Sequence, residues 1–429
     1  MRWINRIAHI LRPRPSYDDA EAHPSLVVRS PYDGTISAIS DLPRFGGMAN
    51  AVDQTVAQTA TNPSGRVRLS RAFPPAQPIS DLRQFAGRRE LLSTVIRSIE
   101  ERRMHVVLYG DRGIGKTSTL HIIARLAEDA RYLVRYSSCS QASDFDSTFR
   151  AIARDIPLLY HNKSDPTSQE VEQGKSLADL FDNHALTPAF LSEVFEGISG
   201  TRLLIILDEF DRAESPDFRR SVAELIKNLS DRGTRVQFLI GGVAANLTEL
   251  IEHIPSIRRN LLGIPVTVMT DEEIGEIINN GEWIVSLRFS AEARGALIKA
   301  ANGFPYLANL IAHHACGRAI DQALTDVSVE DVTASVAFLA KEFRMRLDKP
   351  AVRQLEALES KVLAPQLRDA AKQALEQFGA VGPALAVPLI NATMTFPEST
   401  FWRKEDGSFQ FMDDSIPLII WLEAATLPE

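Results

Sequence analysis

Gly110-Asp111-Arg112-Gly113-Ile114-Gly115-Lys116-Thr117 stands between the apolar run His105 to Tyr109 and a helical pattern through Leu120, Ile123 and Leu126. The stretch matches GxxxxGK[ST], and a strand before it and a helix after it are the setting in which that pattern works. Its glycines let the backbone close around phosphates with N–H groups pointing inward, while the helix presents its positive N-terminal end. The expected phosphate-binding residues are Gly110, Asp111, Arg112, Gly113, Ile114, Gly115, Lys116, Thr117 and Ser118. Lys116 would reach the β- and γ-phosphates of ATP, and Thr117 would offer its hydroxyl to Mg²⁺.

About 90 residues downstream, the apolar run Leu203 to Leu207 ends in Asp208 and Glu209. Two charges directly after a buried strand need a reason. Asp208 is expected to hold Mg²⁺, and Glu209 to orient and polarise an attacking water for in-line phosphoryl transfer. Asp211 either tunes this pair or caps the following helix.

Working outward, helical patterns alternate with short strand-like runs at His105–Tyr109, Tyr132–Tyr136, Leu203–Leu207, Val236–Ile240 and Ile264–Val268. Such alternation signals βα units around a parallel sheet, with ligands at the C-terminal strand edge. The expected fold is α/β, a P-loop three-layer sandwich over residues 80–268. An all-α lid follows over 269–347, its helical stretches being Asp271–Ile278, Ala291–Ala301, Pro305–Arg318 and Val329–Arg346. Residues 348–429 read as a small winged-helix-like module. Residues 1–79 read as an amphipathic helix followed by a poorly packed arm, rich in Pro, Ser, Ala and Gly from Pro13 to Pro78. Trp3, Ile7 and Leu11 form the helix's apolar stripe, ringed by Arg2, Arg6, Arg12 and Arg14. That stripe suits a peripheral membrane anchor, a partner-docking helix, a transit peptide or a helix packed on its own protein.

Composition narrows the class. The 429 residues are 45% hydrophobic and 24% charged, a globular profile with room for two or three domains. A formal net charge of −8 leans against a protein that coats nucleic acid. The two cysteines, Cys139 and Cys316, lack metal-ligand or CxxC spacing, which fits a reducing cytoplasm. No apolar run approaches the roughly 18 residues of a spanning helix. His313 and His314 are adjacent, about 100° apart on a helix, and cannot make an i, i+4 zinc pair. Trp402 and Trp421, with Phe401, Phe409 and Phe411, are expected in the core of the C-terminal module.

From Phe85 to about Tyr306 the chain resembles the AAA+/STAND class of P-loop ATPases, in the branch near origin-recognition initiators and bacterial STAND switches. Phe85-Ala86-Gly87-Arg88-Arg89-Glu90 is similar to the segment that wraps the adenine in that class, implying base contacts at Phe85, Gly87 and Arg88. Phe238 to Asn246 resembles the fourth strand and its sensor, implying that role for Asn246. Ser256-Ile257-Arg258-Arg259-Asn260 looks like the arginine-finger segment, by which Arg258 or Arg259 would reach a neighbouring subunit's nucleotide and couple hydrolysis to self-association. Gly303-Phe304-Pro305 resembles the GxP motif of STAND proteins, which adds Pro305 to the nucleotide contacts and favours the switch branch.

The resemblance implies an ATP-hydrolysing conformational switch that controls assembly or an effector protein, in bacterial defence or signalling. The alternative is an initiator-like or transposition-associated DNA-binding ATPase. From Lys349 to Glu429 seven Lys or Arg stand against eleven Asp or Glu, which disfavours DNA contact by the last module.

Overall fold

Strand alternation decides the layering. The computed structural model describes residues 65–75, 77–162, 173–181, 185–244, 259–377, 379–396, 400–404 and 407–426. Strands β1 (His105–Gly110), β2 (Leu133–Ser138), β3 (Leu203–Asp208), β4 (Val236–Val243) and β5 (Leu261–Pro265) form one parallel sheet in the order β2-β3-β4-β1-β5. Val106, Leu108, Leu204, Ile206 and Leu239 share a core with Leu120 and Ile123 of one flanking helix. Val107, Ile205, Leu207, Phe238 and Ile240 share another with Phe149, Phe195 and Phe218. With both faces covered, the central strands carry unbroken apolar runs rather than an alternating pattern. The expected three-layer α/β sandwich is what the chain forms.

The last strand departs from expectation, starting and ending three residues before Ile264–Val268. Its pairing with β1 runs from His105↔Leu261 to Tyr109↔Pro265, so β1 sets its length. Beyond Pro265 the Val266 N–H still reaches the Tyr109 carbonyl, and the chain then turns towards the helices that follow.

His105, the first residue of β1, is buried at the opposite edge of the sheet from the phosphate motif. Its Nδ1 accepts the Phe238 N–H at 2.9 Å, and its Nε2 lies 3.1 Å from Ser230 Oγ. Burial holds its pKa down to about 4. A histidine near 6.5 when unfolded therefore gives stability that is complete above that pH and is lost as pH falls towards 4. Between pH 7.5 and 5 this residue should cost ~2 kcal/mol of stability, a loss that His105→Gln would not show. Urea unfolding at the two pH values checks this, and equal pH dependence in both proteins would refute it.

After β5 come the helices Asp271–Val285, Ala291–Ala301, Pro305–Asp321 and Val329–Arg346, but the all-α expectation is corrected by a two-stranded parallel sheet, Arg288–Phe289 with Asp326–Val327, which ties the segments before the second and fourth helices together. A Thr270–Glu273 capping box starts the first of them. Pro305 opens the third at a position where its missing N–H costs nothing.

The poorly packed arm expected up to Pro78 is corrected over its last residues. Gly65–Ala72 is a helix whose Leu69 and Ala72, with Phe73 just beyond, are buried in the core of these later helices. Phe73 seats against Gly281, where a Cβ would fall 1.9 Å from its ring, so only glycine admits it. The amphipathic pattern at Trp3, Ile7 and Leu11 lies outside the described residues.

From Lys349 the chain forms helices Lys349–Lys361, Ala364–Glu376, Pro383–Thr393 and Ser415–Ala425, with an antiparallel three-stranded sheet. Its strands are Ala380–Val381, Phe401–Arg403 and Phe409–Phe411, the last one central. Phe401, Phe411 and Trp421 are core residues, and Trp421 Nε1 donates to the Ala300 carbonyl, so this region and the preceding helices share one core. Trp402 corrects the expectation, being 56% exposed. Neighbouring strand residues point to opposite faces, so burying Phe401 turns Trp402 outward. Among the described residues, no helix is long and apolar enough to cross a membrane.

Candidate active site

Strand β1 stops at Gly110, and the loop to Lys116 turns through Gly113 (φ 76°) and Gly115 (φ 92°), conformations that cost a glycine little. A side chain at Gly110 would meet the Val266 carbonyl at 2.6 Å, so the loop's approach to β5 also demands glycine. Lys116 begins the helix Lys116–Asp129 and is buried. Its Nζ donates to the carbonyls of Gly110 (3.0 Å) and Asp111 (2.6 Å). Burial lowers its pKa to about 8, against the opposing pull of Asp211, Asp111 and Asp208.

Asp208 closes β3 and is 4% exposed. Its Oδ1 accepts the Glu209 N–H at 2.8 Å, and its Oδ2 accepts the Tyr136 hydroxyl at 2.6 Å. The Tyr136 ring stacks on His121 with centroids 4.6 Å apart. Burial, reinforced by the bond to Asp208, raises the Tyr136 pKa, which keeps the phenol a donor and the carboxylate fixed. Glu209 follows in the left-handed region (φ 53°), a conformation that non-glycine residues adopt under constraint. Its carboxylate accepts from Ser138 Oγ (3.0 Å) and Arg212 (2.9 Å). Burial pushes its pKa up, but these two hydrogen bonds together with the charges of Arg212 and Arg112 outweigh it and the net direction is down. Asp211 is not a helix cap, because Ser215 caps Pro216–Asp231. Asp211 Oδ1 instead accepts the Val243 N–H at 2.8 Å, tying the acidic turn to the end of β4.

These groups border a cleft of about 490 Å³. Arg112, Gly113, Gly115, Lys116, Thr117 and Ser118 form one wall, and Asp208, Glu209, Asp211 and Arg212 another. Phe85 and Arg88 also line it, as does the segment from Pro74 to Ile79, whose Ile79 N–H donates to Ser118 Oγ. Pro305, Tyr306 and Asn309 complete it from the helix Pro305–Asp321. That helix touches the phosphate loop directly: the Tyr306 N–H reaches the Gly113 carbonyl (3.4 Å), and Pro305 Cγ sits 3.3 Å from where a Gly115 Cβ would be.

Four expected contacts stand behind the wall. Gly110 and Asp111 turn their carbonyls to Lys116, and the Ile114 side chain is buried in the core beside the sheet. Gly87 gives its N–H to Glu276, as the Arg88 N–H does to Glu273, which pins this segment to the helix Asp271–Val285. The Arg88 guanidinium bridges the carbonyls of Ile114 (2.7 Å) and Thr267 (2.8 Å), so its main bonds are to backbone. Arg259 is exposed and does not line the cleft. Asn246 and Arg258 lie outside the described residues. Sequence reasoning missed Tyr136, Tyr306, Asn309, Glu273 and Glu276; the polar end of β2, Tyr136-Ser137-Ser138, was the one local signal.

Residues 84–240 match the family model described as AAA ATPase domain. No curated protein sequence matches the chain. Among solved structures, the chain is similar to the Aeropyrum pernix ORC2 protein in its ADPNP and ADP complexes, with 18% identity, coverage of 83% of this chain and 96% of that one, and a TM-score of 0.44. Pyrobaculum aerophilum Cdc6p gives 14%, 83% and 97%, and 0.44. The Thermotoga maritima RuvB Holliday junction branch migration motor gives 15%, 78% and 95%, and 0.41. With the loop, the acidic strand end and the family match falling on the same residues, the chain carries an AAA ATPase domain at 84–240 and is a P-loop ATPase.

Proposed function

We propose that ATP binding and hydrolysis in this cleft switch the helices after β5 between two arrangements, and that the switch controls self-assembly or an effector protein. The observation that carries this reading is the shared wall: the helix opened by Pro305 packs on the phosphate loop and lines the same cleft as Lys116 and Glu209. A ligand shifts a conformational equilibrium only by its differential contacts with the two states, and a γ-phosphate between that helix and the loop supplies them.

Among the residues, Lys116 binds and orients the phosphates, Glu209 positions the attacking water and Phe85 packs against the base. Thr117 and Asp208 would hold Mg²⁺. Their hard oxygen donors suit it, and the want of any cluster of three or more His, Cys, Asp or Glu side chains among the described residues fits an ion that takes its other ligands from phosphate and water. When bound, Mg²⁺ neutralises phosphate charge. Arg258 or Arg259 is assigned to the neighbouring subunit's nucleotide, and Gly303-Phe304-Pro305 favours a STAND-like switch, in defence or signalling. The two buried free cysteines suit a cytoplasmic protein.

The test is a distance measurement between labels at Lys227→Cys on the sheet-covering helix and Trp283→Cys, 76% exposed on the helix Asp271–Val285. In a Glu209→Gln background, the distance distribution with ATP should differ from that with ADP. Identical distributions would refute the switch. The DNA-binding alternative draws on exposed Trp402 beside Arg403 and Lys404, a stacking surface with adjacent cations. Salt-sensitive DNA binding lost in Trp402→Ala would turn the assignment that way.

A further inference from the structure

At the edge of the sheet opposite the ATP cleft lies a second cavity, of about 130 Å³, lined by Arg103, Arg202, Thr234, Arg235 and Gln237. Its residues come from the entries to three adjacent strands. Arg103 precedes β1 by two positions, Arg202 immediately precedes β3, Arg235 immediately precedes β4, and Gln237 is inside β4. The sheet holds this frame rigidly: the Arg202 carbonyl accepts the Leu133 N–H, and the Arg235 carbonyl accepts the Leu203 N–H.

Three arginines line the cavity, and no carboxylate is among the lining residues. Arg202 is braced by a 2.8 Å bond to the Tyr132 hydroxyl and lies over that ring. Arg103 and Arg235 make no ion pair among the described residues. Thr234 is 8% exposed, and its hydroxyl is buried with no hydrogen-bond partner among the described residues, an arrangement that costs free energy. Gln237, 4% exposed, adds a side-chain amide.

From this geometry we propose that the cavity is an anion site for a phosphate group, distinct from the ATP cleft and roughly 20 Å away along a six-residue strand. Arginine forks match phosphate oxygens two at a time, and the Gln237 amide, with the Thr234 hydroxyl once its side chain turns to the cavity, supplies donors for what remains. Volume sets the ligand class. At about 130 Å³ the space is well below the roughly 300 Å³ at which pockets for larger molecules begin, which suits a single tetrahedral oxyanion. The bound group is therefore free phosphate or the terminal phosphate of a molecule that projects outward.

The phosphate loop would itself take up phosphate, so the test uses full-length Lys116→Ala protein. Calorimetric titration is made with inorganic phosphate, with 2-aminoethyl phosphate and, at matched ionic strength, with chloride. Saturable phosphate binding is expected, weakened ~tenfold or more by Arg103→Gln with Arg235→Gln. Uptake of both phosphates with this arginine dependence assigns a terminal phosphate, and uptake of the inorganic ion alone assigns free phosphate. Thr234→Val, which keeps the side chain's shape, should weaken binding even if the double variant does not fold. Heat no larger than with chloride, or binding indifferent to both sets of substitutions, would overturn the site.

Discussion

Lys116→Ala protein should bind Mg-ATP at least ~100-fold more weakly than wild type, because each charge-assisted hydrogen bond to phosphate contributes about 1.5–3 kcal/mol and the ammonium supplies more than one. The side chain is buried at the start of a helix, bonded to the carbonyls of Gly110 and Asp111, and is thus positioned before any phosphate arrives. Alanine leaves those carbonyls without their ammonium donor and removes a cation from the cleft wall. A fluorescent ATP analogue measures the effect at equilibrium. The loop's backbone needs no lysine to keep its turns, so circular dichroism should be unchanged. Affinity within a few-fold of wild type would remove Lys116 from the site.

Glu209→Gln should act on the other half of the reaction, slowing turnover by about 10²–10⁴-fold while ATP affinity stays near wild type. The substitution keeps the size of the side chain and one oxygen to accept from Ser138 or Arg212, but removes the charge to which we assign the polarising of water. Arg212 competes for that charge in the structure. Both the Ser138 and the Arg212 bonds fall on Oε2, which leaves Oε1 to face a water, and Arg212→Ala combined with wild-type Glu209 should therefore not abolish hydrolysis. Phosphate release under saturating ATP is the measurement. Unchanged turnover in Glu209→Gln would move the water-positioning role elsewhere along the acidic turn.

The glycine-rich loop and the acidic strand end were legible from sequence because each is local: a fixed spacing between a strand and a helix, and an apolar run closed by two charges. The sheet was legible for a related reason, since strands buried on both faces carry long apolar runs. What escaped depended on partners far along the chain. Tyr136 meets Asp208 across 72 positions, and Gly87 meets Glu276 across 189. Neither pairing leaves a periodic trace.

Boundaries failed where tertiary contacts overrode local pattern. Phe73 and Leu69 sit in a Pro- and Ser-rich stretch that reads as an arm, yet Gly281 provides the gap that receives Phe73. β5 is shifted because β1 fixes its register. Trp402 is exposed because its neighbour Phe401 takes the inward face of a three-residue strand. The arrangement of three arginines around Thr234 was equally hidden, as its members precede three different strands and meet only when the sheet forms.

Isothermal titration of the full-length chain with Mg-ATP, run beside Lys116→Ala, tests most directly whether the loop, the acids and the helix at Pro305 grip one triphosphate. The structure predicts saturable one-to-one binding by wild type and its loss in the variant. Folded wild-type protein that takes up no Mg-ATP would contradict it.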